Sequence, residues 1–127
     1  MSESNREVEL EVRERRLKVL ETCLGPSIMH YMHDDNVTEV MVNPDGRVWL
    51  DTFDKGFQKT EVIMKVENTK RIIYSIADMS GQVIDLKTDP SLQANIPESR
   101  LFANCRFQAE LPPIVNAPSF NIRKHSK

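Results

Sequence analysis

The sequence has few of the residues that build ligand-cradling loops or membrane spans. Its 127 residues include four glycines, and none stands in a G-x-x-x-x-G-K-[ST] or G-x-G-x-x-G setting. A phosphate-binding loop of either kind is therefore excluded, and no serine nucleophile elbow or paired-cysteine motif is present. The longest apolar runs have only a few residues, whereas a bilayer-spanning helix needs about 20.

The cysteines, the charge and the amino terminus narrow the class of protein further. Cys23 and Cys105 lie far apart without metal-type spacing, and we interpret them as reduced thiols of a cytosolic protein. The amino-terminal sequence MSESNREVELEVRERR is too charged for a signal peptide. A net charge of −2 predicts no general attraction to nucleic acid or anionic membrane. Together these features predict one soluble globular domain.

The amino-terminal segment predicts a helix from about Asn5 to Leu24, which Gly25 and Pro26 end before a short second helix over 27–33. At helical spacing one stripe contains Leu10, Leu17, Leu20 and Leu24, and a nearly opposite stripe contains Val8, Val12, Val19 and Cys23. A helix that is apolar on two sides must contact two partners. They are either one core and a neighbouring loop, or one core and a second subunit.

The next segment predicts a β-hairpin. Val37 to Val42 is rich in β-branched residues, and apolar and polar side chains alternate over 48–51. Between them Pro44 presets φ for a turn, and Gly46 can adopt the positive φ that closes it. Lys55-Gly56 marks a second turn, and a third strand is expected around 60–66.

A helix and two closing strands complete the pattern. Asn68 is expected to open a helix that runs to about Ser80 and stops at Gly81, with its buried face formed by Ile72, Ile73, Ile76 and Ala77. Residues 82–104 are expected to form loop with short strands, followed by alternating strands around 106–111 and 120–123. This order of elements predicts an α+β fold with a mainly antiparallel sheet.

Two groups of polar residues could hold a metal or act as acid and base. His30 and His33 lie three apart beside Asp34 and Asp35, but without a third well-spaced ligand such histidines are usually surface residues. The carboxylates Glu39, Asp45 and Asp51 lie in or beside the hairpin, where alternation and turn chemistry account for them.

Arginines near the carboxyl terminus are more informative. Alternation places Arg106 and Arg123 on the polar face of the last two strands, with Lys124 following. A guanidinium fork can hold a phosphate by two parallel hydrogen bonds. Exposed arginines on strands are also often just solvated, so residue patterns alone leave both interpretations open.

Two stretches of the chain resemble one protein family. The hairpin VTEVMVNPDGRVW is similar to the VTEIMLNPDGRLW pattern of TrbB-like conjugal-transfer ATPases, within the hexameric type II and type IV secretion ATPases. The closing run RFQAELPPIVNAPSFNIRK resembles that family's RF…LPPVV…P.F.IRK segment. The resemblance covers roughly Leu24 to Lys124, with both segments in the family's order.

The resemblance implies a fold and a function. It implies a PAS-like domain over 27–127, preceded by an amino-terminal helical segment over 1–26. In the family such a domain precedes a RecA-like catalytic domain, binds ATP and Mg together with it, and forms cytoplasmic hexamers peripheral to the inner membrane at a secretion channel. Nucleic acid is not expected as a direct partner. Without a P-loop this chain is expected to be inactive alone.

The resemblance also assigns residues to the nucleotide phosphates. The arginines of the family's RF and IRK motifs fall on Arg106 and Arg123, with Arg100 and Lys124 as further phosphate contacts. Around Arg100 the sequence departs from the family, since PESRLFANCR replaces a short GER turn. The alternative is a stand-alone PAS-like module that binds a ligand or partner, which a large pocket in the core would favour.

Overall fold

The computed structural model describes residues 3–124, which form two helices and six strands. In chain order they are α1 (Glu3–His33), β1 (Val37–Val42), β2 (Arg47–Thr52), β3 (Gly56–Ile63), α2 (Val66–Met79), β4 (Ser91–Ile96), β5 (Cys105–Glu110) and β6 (Ser119–Lys124). All six strands form one antiparallel sheet in the order β3-β2-β1-β6-β5-β4. The predicted α+β class and antiparallel sheet are confirmed, and the PAS-like assignment stays a prediction.

The first and last strands of the chain are neighbours at the centre of the sheet. β1 pairs with β2 through a local hairpin and with β6 on its other side. In that second pairing Val40 lies opposite Ile122, and Val42 opposite Phe120. The sheet therefore consists of two local halves, β1–β3 and β4–β5, which β6 joins.

The turn between β1 and β2 has the predicted geometry. Gly46 has a φ of 86°, and its N–H donates to the carbonyl of Asn43 at 2.8 Å. A Cβ at this position would lie 2.5 Å from the carbonyl oxygen of Met64, so both the backbone conformation and the space require glycine. The Gly46 carbonyl also accepts from the Met64 N–H at 2.8 Å, which ties the turn to the end of β3.

Both helices cover the same face of the sheet. α1 breaks at Gly25, whose φ of 82° and ψ of 167° are not helical, as its Gly-Pro sequence predicted. Either side of this break α1 contributes buried apolar side chains to the core, namely Leu17, Leu20, Leu24, Ile28 and Met32.

The amino-terminal half of α1 does not reach the core. Leu10 was expected on the buried stripe, but it is 52% exposed. The cause is geometric, because 4–16 are all exposed and the first buried residue of the helix is Leu17. Before Leu17 the helix makes contacts at the surface, such as the salt bridge between Arg16 and Asp78 of α2 at 3.8 Å. The valines of the opposite stripe are exposed as well, with Val8 at 58% and Val19 at 53%.

α2 begins at Val66, two residues before the predicted start. Its cap is Lys65, in an extended conformation and without a side-chain cap, so Asn68 does not open the helix. The Asn68 side-chain amide instead donates to the Cys23 carbonyl at 2.6 Å, beside the break in α1. The predicted end is confirmed, since Gly81 has a φ of 67° and the Gln82 N–H donates to the Ala77 carbonyl.

β3 begins and ends earlier than predicted, over Gly56–Ile63 instead of 60–66. Strand pairing explains the difference, because a tight turn lets Gly56 pair directly with Thr52 of β2. β3 is an edge strand and buries no residue fully, so the hydrophobic pattern of the sequence did not predict where the strand begins and ends.

The core lies between the sheet and the helices. Phe107 of β5 and Phe120 of β6 stack there with ring centroids 5.3 Å apart, against isoleucines of α2. Burial raises the pKa of the Cys105 thiol to about 11, so that thiol stays protonated. The predicted division at residue 26 stays a prediction, and 1–2 and 125–127 of those ranges lie outside the described residues.

Candidate functional site

Two arginines stand directly opposite each other on the face of the sheet that the helices leave open. Arg106 of β5 and Arg123 of β6 are cross-strand partners in the antiparallel register. Both side chains are exposed, while their neighbours Phe107 and Ile122 are fully buried on the covered face. In a pair of this kind the Cβ atoms lie about 5 Å apart, so the two guanidinium groups can reach one ligand together.

Among the described residues this arginine pair has no counter-ion. The salt bridges found among residues 3–124 involve Arg15, Arg16 and Arg47, and none involves Arg106 or Arg123. Like charges placed directly opposite on a sheet repel each other, which destabilises the pairing. The pair therefore forms an exposed site at which an anion would relieve an existing repulsion.

A carboxylate beside the pair is held by another partner. Glu39 of β1 lies opposite Arg123 in the register, which is the usual position for a cross-strand ion pair. Its Oε2 instead accepts a hydrogen bond from the Asn121 side-chain amide at 2.9 Å. Asn121 therefore holds the Glu39 carboxylate, and Glu39 forms no salt bridge with Arg123.

One row of charges crosses the open face. The register places Asp51 of β2 opposite Glu39, Glu39 opposite Arg123, and Arg123 opposite Arg106. Two carboxylates and two guanidinium groups therefore occupy adjacent strands in the order β2, β1, β6, β5. Sequence reasoning dismissed Glu39 and Asp51 as hairpin residues, because only the non-local pairing of β1 with β6 brings them beside the arginines.

Lys124 lies on the opposite side of the sheet from the arginine pair. It is the cross-strand partner of the buried Cys105, and its Nζ donates to the carbonyls of Tyr31, Met32 and Asp34 at 3.2, 3.1 and 2.6 Å. A lysine at this place satisfies carbonyls that the end of α1 leaves without helical partners. Burial lowers the pKa of Lys124, against the opposing effect of nearby Asp34.

Arg100 is also separate from the pair. It is exposed in the loop between β4 and β5, where it lines a cleft of about 300 Å³ together with Glu11 and Glu14 of α1. The Ser99 hydroxyl organises this loop by accepting from the backbone N–H groups of Leu101 and Phe102. Of the four arginine and lysine residues predicted to contact phosphate, the fold brings together only Arg106 and Arg123.

The two histidines of α1 do not lie within a metal centre. His30 and His33 are both exposed. Over the described residues no three His, Cys, Asp or Glu side chains are grouped so that they could hold a metal ion. Neither helix of the described chain is long and apolar enough to cross a membrane.

The chain has relatives in conjugal transfer. It is 28% identical over 112 residues to a "Probable conjugal transfer protein TrbB" of Sinorhizobium fredii, and 29% identical over 112 residues to a "Conjugal transfer protein TrbB" of Rhizobium radiobacter. Each match covers 88% of this chain and 33% of the relative. The chain is homologous to TrbB. It spans about a third of the length of these TrbB relatives, and no family model matches it.

A solved structure has the same fold as this TrbB homologue. The VirB11 ATPase of the Brucella suis type IV secretion system, in complex with sulphate, matches with a TM-score of 0.75 at 24% identity. The match covers 91% of this chain and 33% of that chain. The predicted relationship to TrbB is confirmed by the two relatives, and the VirB11 structure shows the shared fold.

Proposed function

We propose that this chain is the nucleotide-gating and ring-forming amino-terminal domain of a hexameric ATPase that powers conjugative transfer or type IV secretion. The observation that carries the proposal is the Arg106–Arg123 pair, exposed on the open face and without a counter-ion among the described residues. In this role the catalytic domain would supply the phosphate cradle and Mg, and the pair would close over the phosphates of the bound ATP.

The chemistry of phosphoryl transfer supports this division of roles. The transferred phosphoryl group carries charge that must be stabilised by cations, and arginines supplied from outside the phosphate cradle commonly do so. Two guanidinium groups on cross-strand partners, whose Cβ atoms lie about 5 Å apart, can each form a charge-assisted fork with a different phosphate oxygen. The repulsion between the groups falls when a phosphate binds between them, so ATP itself favours the closed arrangement.

Lys124 is not part of the proposed phosphate site. Its three donors are already directed at carbonyls of Tyr31, Met32 and Asp34 on the covered side. Arg100 is not part of the proposed phosphate site either, because it lies beside acidic residues of α1 and apart from the arginine pair. We assign Lys124 to fixing the end of α1.

The ring-forming part of the proposal rests on α1. Its exposed valines, Val8, Val12 and Val19, form an apolar stripe, of which Val8 and Val12 also line a cleft of about 610 Å³ against Met79 of α2 and Ile96 of β4. Such a stripe is one of the two contacts that the helix pattern predicts, here with a neighbouring subunit. A cytoplasmic position at the base of a membrane channel, peripheral to the inner membrane, belongs to the same proposal.

Steady-state kinetics of the longer protein, with its catalytic domain, test the phosphate contacts. We expect Arg123→Ala and Arg106→Ala each to raise the KM for ATP or lower kcat by about tenfold to a hundredfold, since a hydrogen bond to a charged group contributes about 1.5–3 kcal/mol. The matched control is Arg71→Ala, because Arg71 is an exposed arginine on α2. Wild-type kinetics in both test variants would contradict the assignment.

A further inference from the structure

The two edges of the sheet differ in how they are protected. β4 forms one edge and β3 the other, and no further strand of the described chain pairs with either. At β4 the Gln82 side-chain amide donates to the Gln93 carbonyl at 2.8 Å, and Pro90, which has no N–H, directly precedes the strand. Both features oppose the addition of another strand at β4.

The backbone of β3 directs every second residue away from the sheet. The Thr60 carbonyl accepts from the Arg47 guanidinium of β2 at 3.1 Å. The Met64 N–H donates to the Gly46 carbonyl at 2.8 Å, so even-numbered residues face β2. Because backbone groups alternate in direction along a strand, those of the odd-numbered residues over 57–63 face outward, where no strand of the described chain lies.

The side chains of these outward residues are exposed and follow a symmetric order. Phe57 and Ile63 stand at the two ends, 67% and 61% exposed, and Lys59 and Glu61 lie between them. Charged side chains on an edge strand usually oppose pairing with another chain. Here the two charges have opposite signs, so they oppose pairing in some registers and favour it in another. Arg47 lies 3.9 Å from Glu61 and does not cover it, because the Glu61 side chain is fully exposed.

A second copy of β3 fits this order in one antiparallel register. With Thr60 opposite Thr60, Lys59 of each copy lies opposite Glu61 of the other, and Phe57 lies opposite Ile63. A shift of two residues in either direction places Lys59 opposite Lys59 or Glu61 opposite Glu61, and like charges oppose both. A shift of one residue sets outward backbone groups against inward ones. The strand is therefore complementary to itself, as a two-fold contact requires.

We propose that β3 pairs with β3 of a second copy of this chain, antiparallel about Thr60, so that the two sheets become one continuous sheet. Two ion pairs and two apolar pairs fix the register, and the outer edges of the combined sheet are the protected β4 strands. This contact is separate from the proposed phosphate site and from the ring contact proposed for α1. A single strand pair is a small interface, so we expect a dissociation constant in the micromolar range.

Charge reversal tests the register. We expect Lys59→Glu and Glu61→Lys each to raise the dissociation constant of the dimer about tenfold, because two attractive pairs become repulsive. The double variant exchanges the charges and should return the constant to near the wild-type value. Sedimentation equilibrium of the 127-residue chain measures all four proteins. Single variants that bind like wild type, or a double variant without recovery, would overturn the register.

The apolar pairs are tested by two phenylalanines of similar exposure. Phe57 lies within the paired segment, whereas Phe53, 73% exposed, lies in the turn before β3. We expect Phe57→Ser to raise the dissociation constant about tenfold, because a cross-strand apolar contact is lost twice in the dimer. Phe53→Ser should leave it unchanged. Equal effects of the two substitutions would contradict pairing through β3.

A disulfide across the two-fold axis gives a direct readout. In a Cys23→Ser background, which leaves only the buried Cys105, Thr60→Cys places two thiols on directly opposite residues, with Cα atoms about 4.5 Å apart. We expect mild oxidation to link the copies. Gln58→Cys is the matched control, because the two Gln58 residues would lie about 14 Å apart. Linkage through position 58 and not through 60 would show a different register and overturn the proposal.

Two further outcomes would overturn the β3 contact while leaving the phosphate site intact. A chain that stays monomeric at about 1 mM does not pair with itself, and the β3 edge would then be free for a strand of another protein. A dimer that Val12→Ser abolishes and Lys59→Glu leaves unchanged would assign the association to the valine stripe of α1.

Discussion

Along β5 and β6 the side chains on the two faces of the sheet differ in almost every physical respect. Toward the helices lie Phe107 and Ile122, fully buried within an apolar core. On the other side lie Arg106 and Arg123, exposed, alike in charge and without a counter-ion in the described domain. The covered face is arranged so that the fold is stable, whereas the arginines of the open face lower that stability.

This difference supports the proposal that the phosphate site lies on the open face. A core residue contributes to folding by removing apolar area from water, and the residues around it are selected for fit. Two arginines placed directly opposite each other gain nothing from the fold and repel each other instead. This arrangement supports the proposed phosphate site, because a bound phosphate would offset the repulsion between the two arginines.

The largest effect that tests the difference between the two faces is expected when an aromatic side chain of the covered face is removed. We expect Phe107→Ala to lower the free energy of unfolding by about 3–5 kcal/mol, from lost burial and the cavity left beside Phe120. The adjacent change Gln108→Ala, on the open face, should shift it by less than about 0.5 kcal/mol. Urea unfolding measures both, and similar effects in the two variants would contradict the division between faces.

A smaller effect is expected where the sheet meets the end of α1. Lys124→Met keeps the length of the side chain but removes the donor that three carbonyls accept from. We expect a loss of about 1–2 kcal/mol, because hydrogen bonds from a charged donor are replaced only in part by water. Amide exchange over 26–33 should quicken, whereas Lys70→Met, at an exposed site on α2, should change neither quantity.

The smallest effect on stability should come from the arginine pair itself. Arg106→Gln removes the like charge opposite Arg123, so the free energy of unfolding should stay constant or rise by up to about 0.5 kcal/mol. The difference from wild type should shrink when phosphate is added, since only the wild-type pair binds it strongly. A loss above about 1 kcal/mol would show that Arg106 has a structural role.

Features encoded by neighbouring residues could be predicted from the sequence. The Asn43–Gly46 turn, the break at Gly25 and the stop at Gly81 each depend on a few adjacent residues and on a positive φ that glycine supplies. The face on which Arg106 and Arg123 lie also follows from the period of two along a strand.

Features that depend on pairing between distant strands could not be predicted. That Arg106 and Arg123 lie directly opposite each other, and that Glu39 joins their row, requires the registers of β5 and β1 with β6. Lys124 was grouped with Arg123 as its sequence neighbour, although strand alternation already places it on the other face. The exposure of Leu10 could not be predicted, because helical period shows which side of a helix is apolar but not where along the helix the core ends.

The position of β6 at the centre of the sheet has a consequence for how the chain folds. Glu39 and Asn121 meet across 82 positions of sequence, so the two local halves of the sheet can form early but cannot join until the last strand is available. During synthesis on the ribosome, β1–β3 and β4–β5 would wait with unpaired inner edges. A chain truncated before Ser119 should therefore aggregate through those edges instead of forming a smaller stable domain.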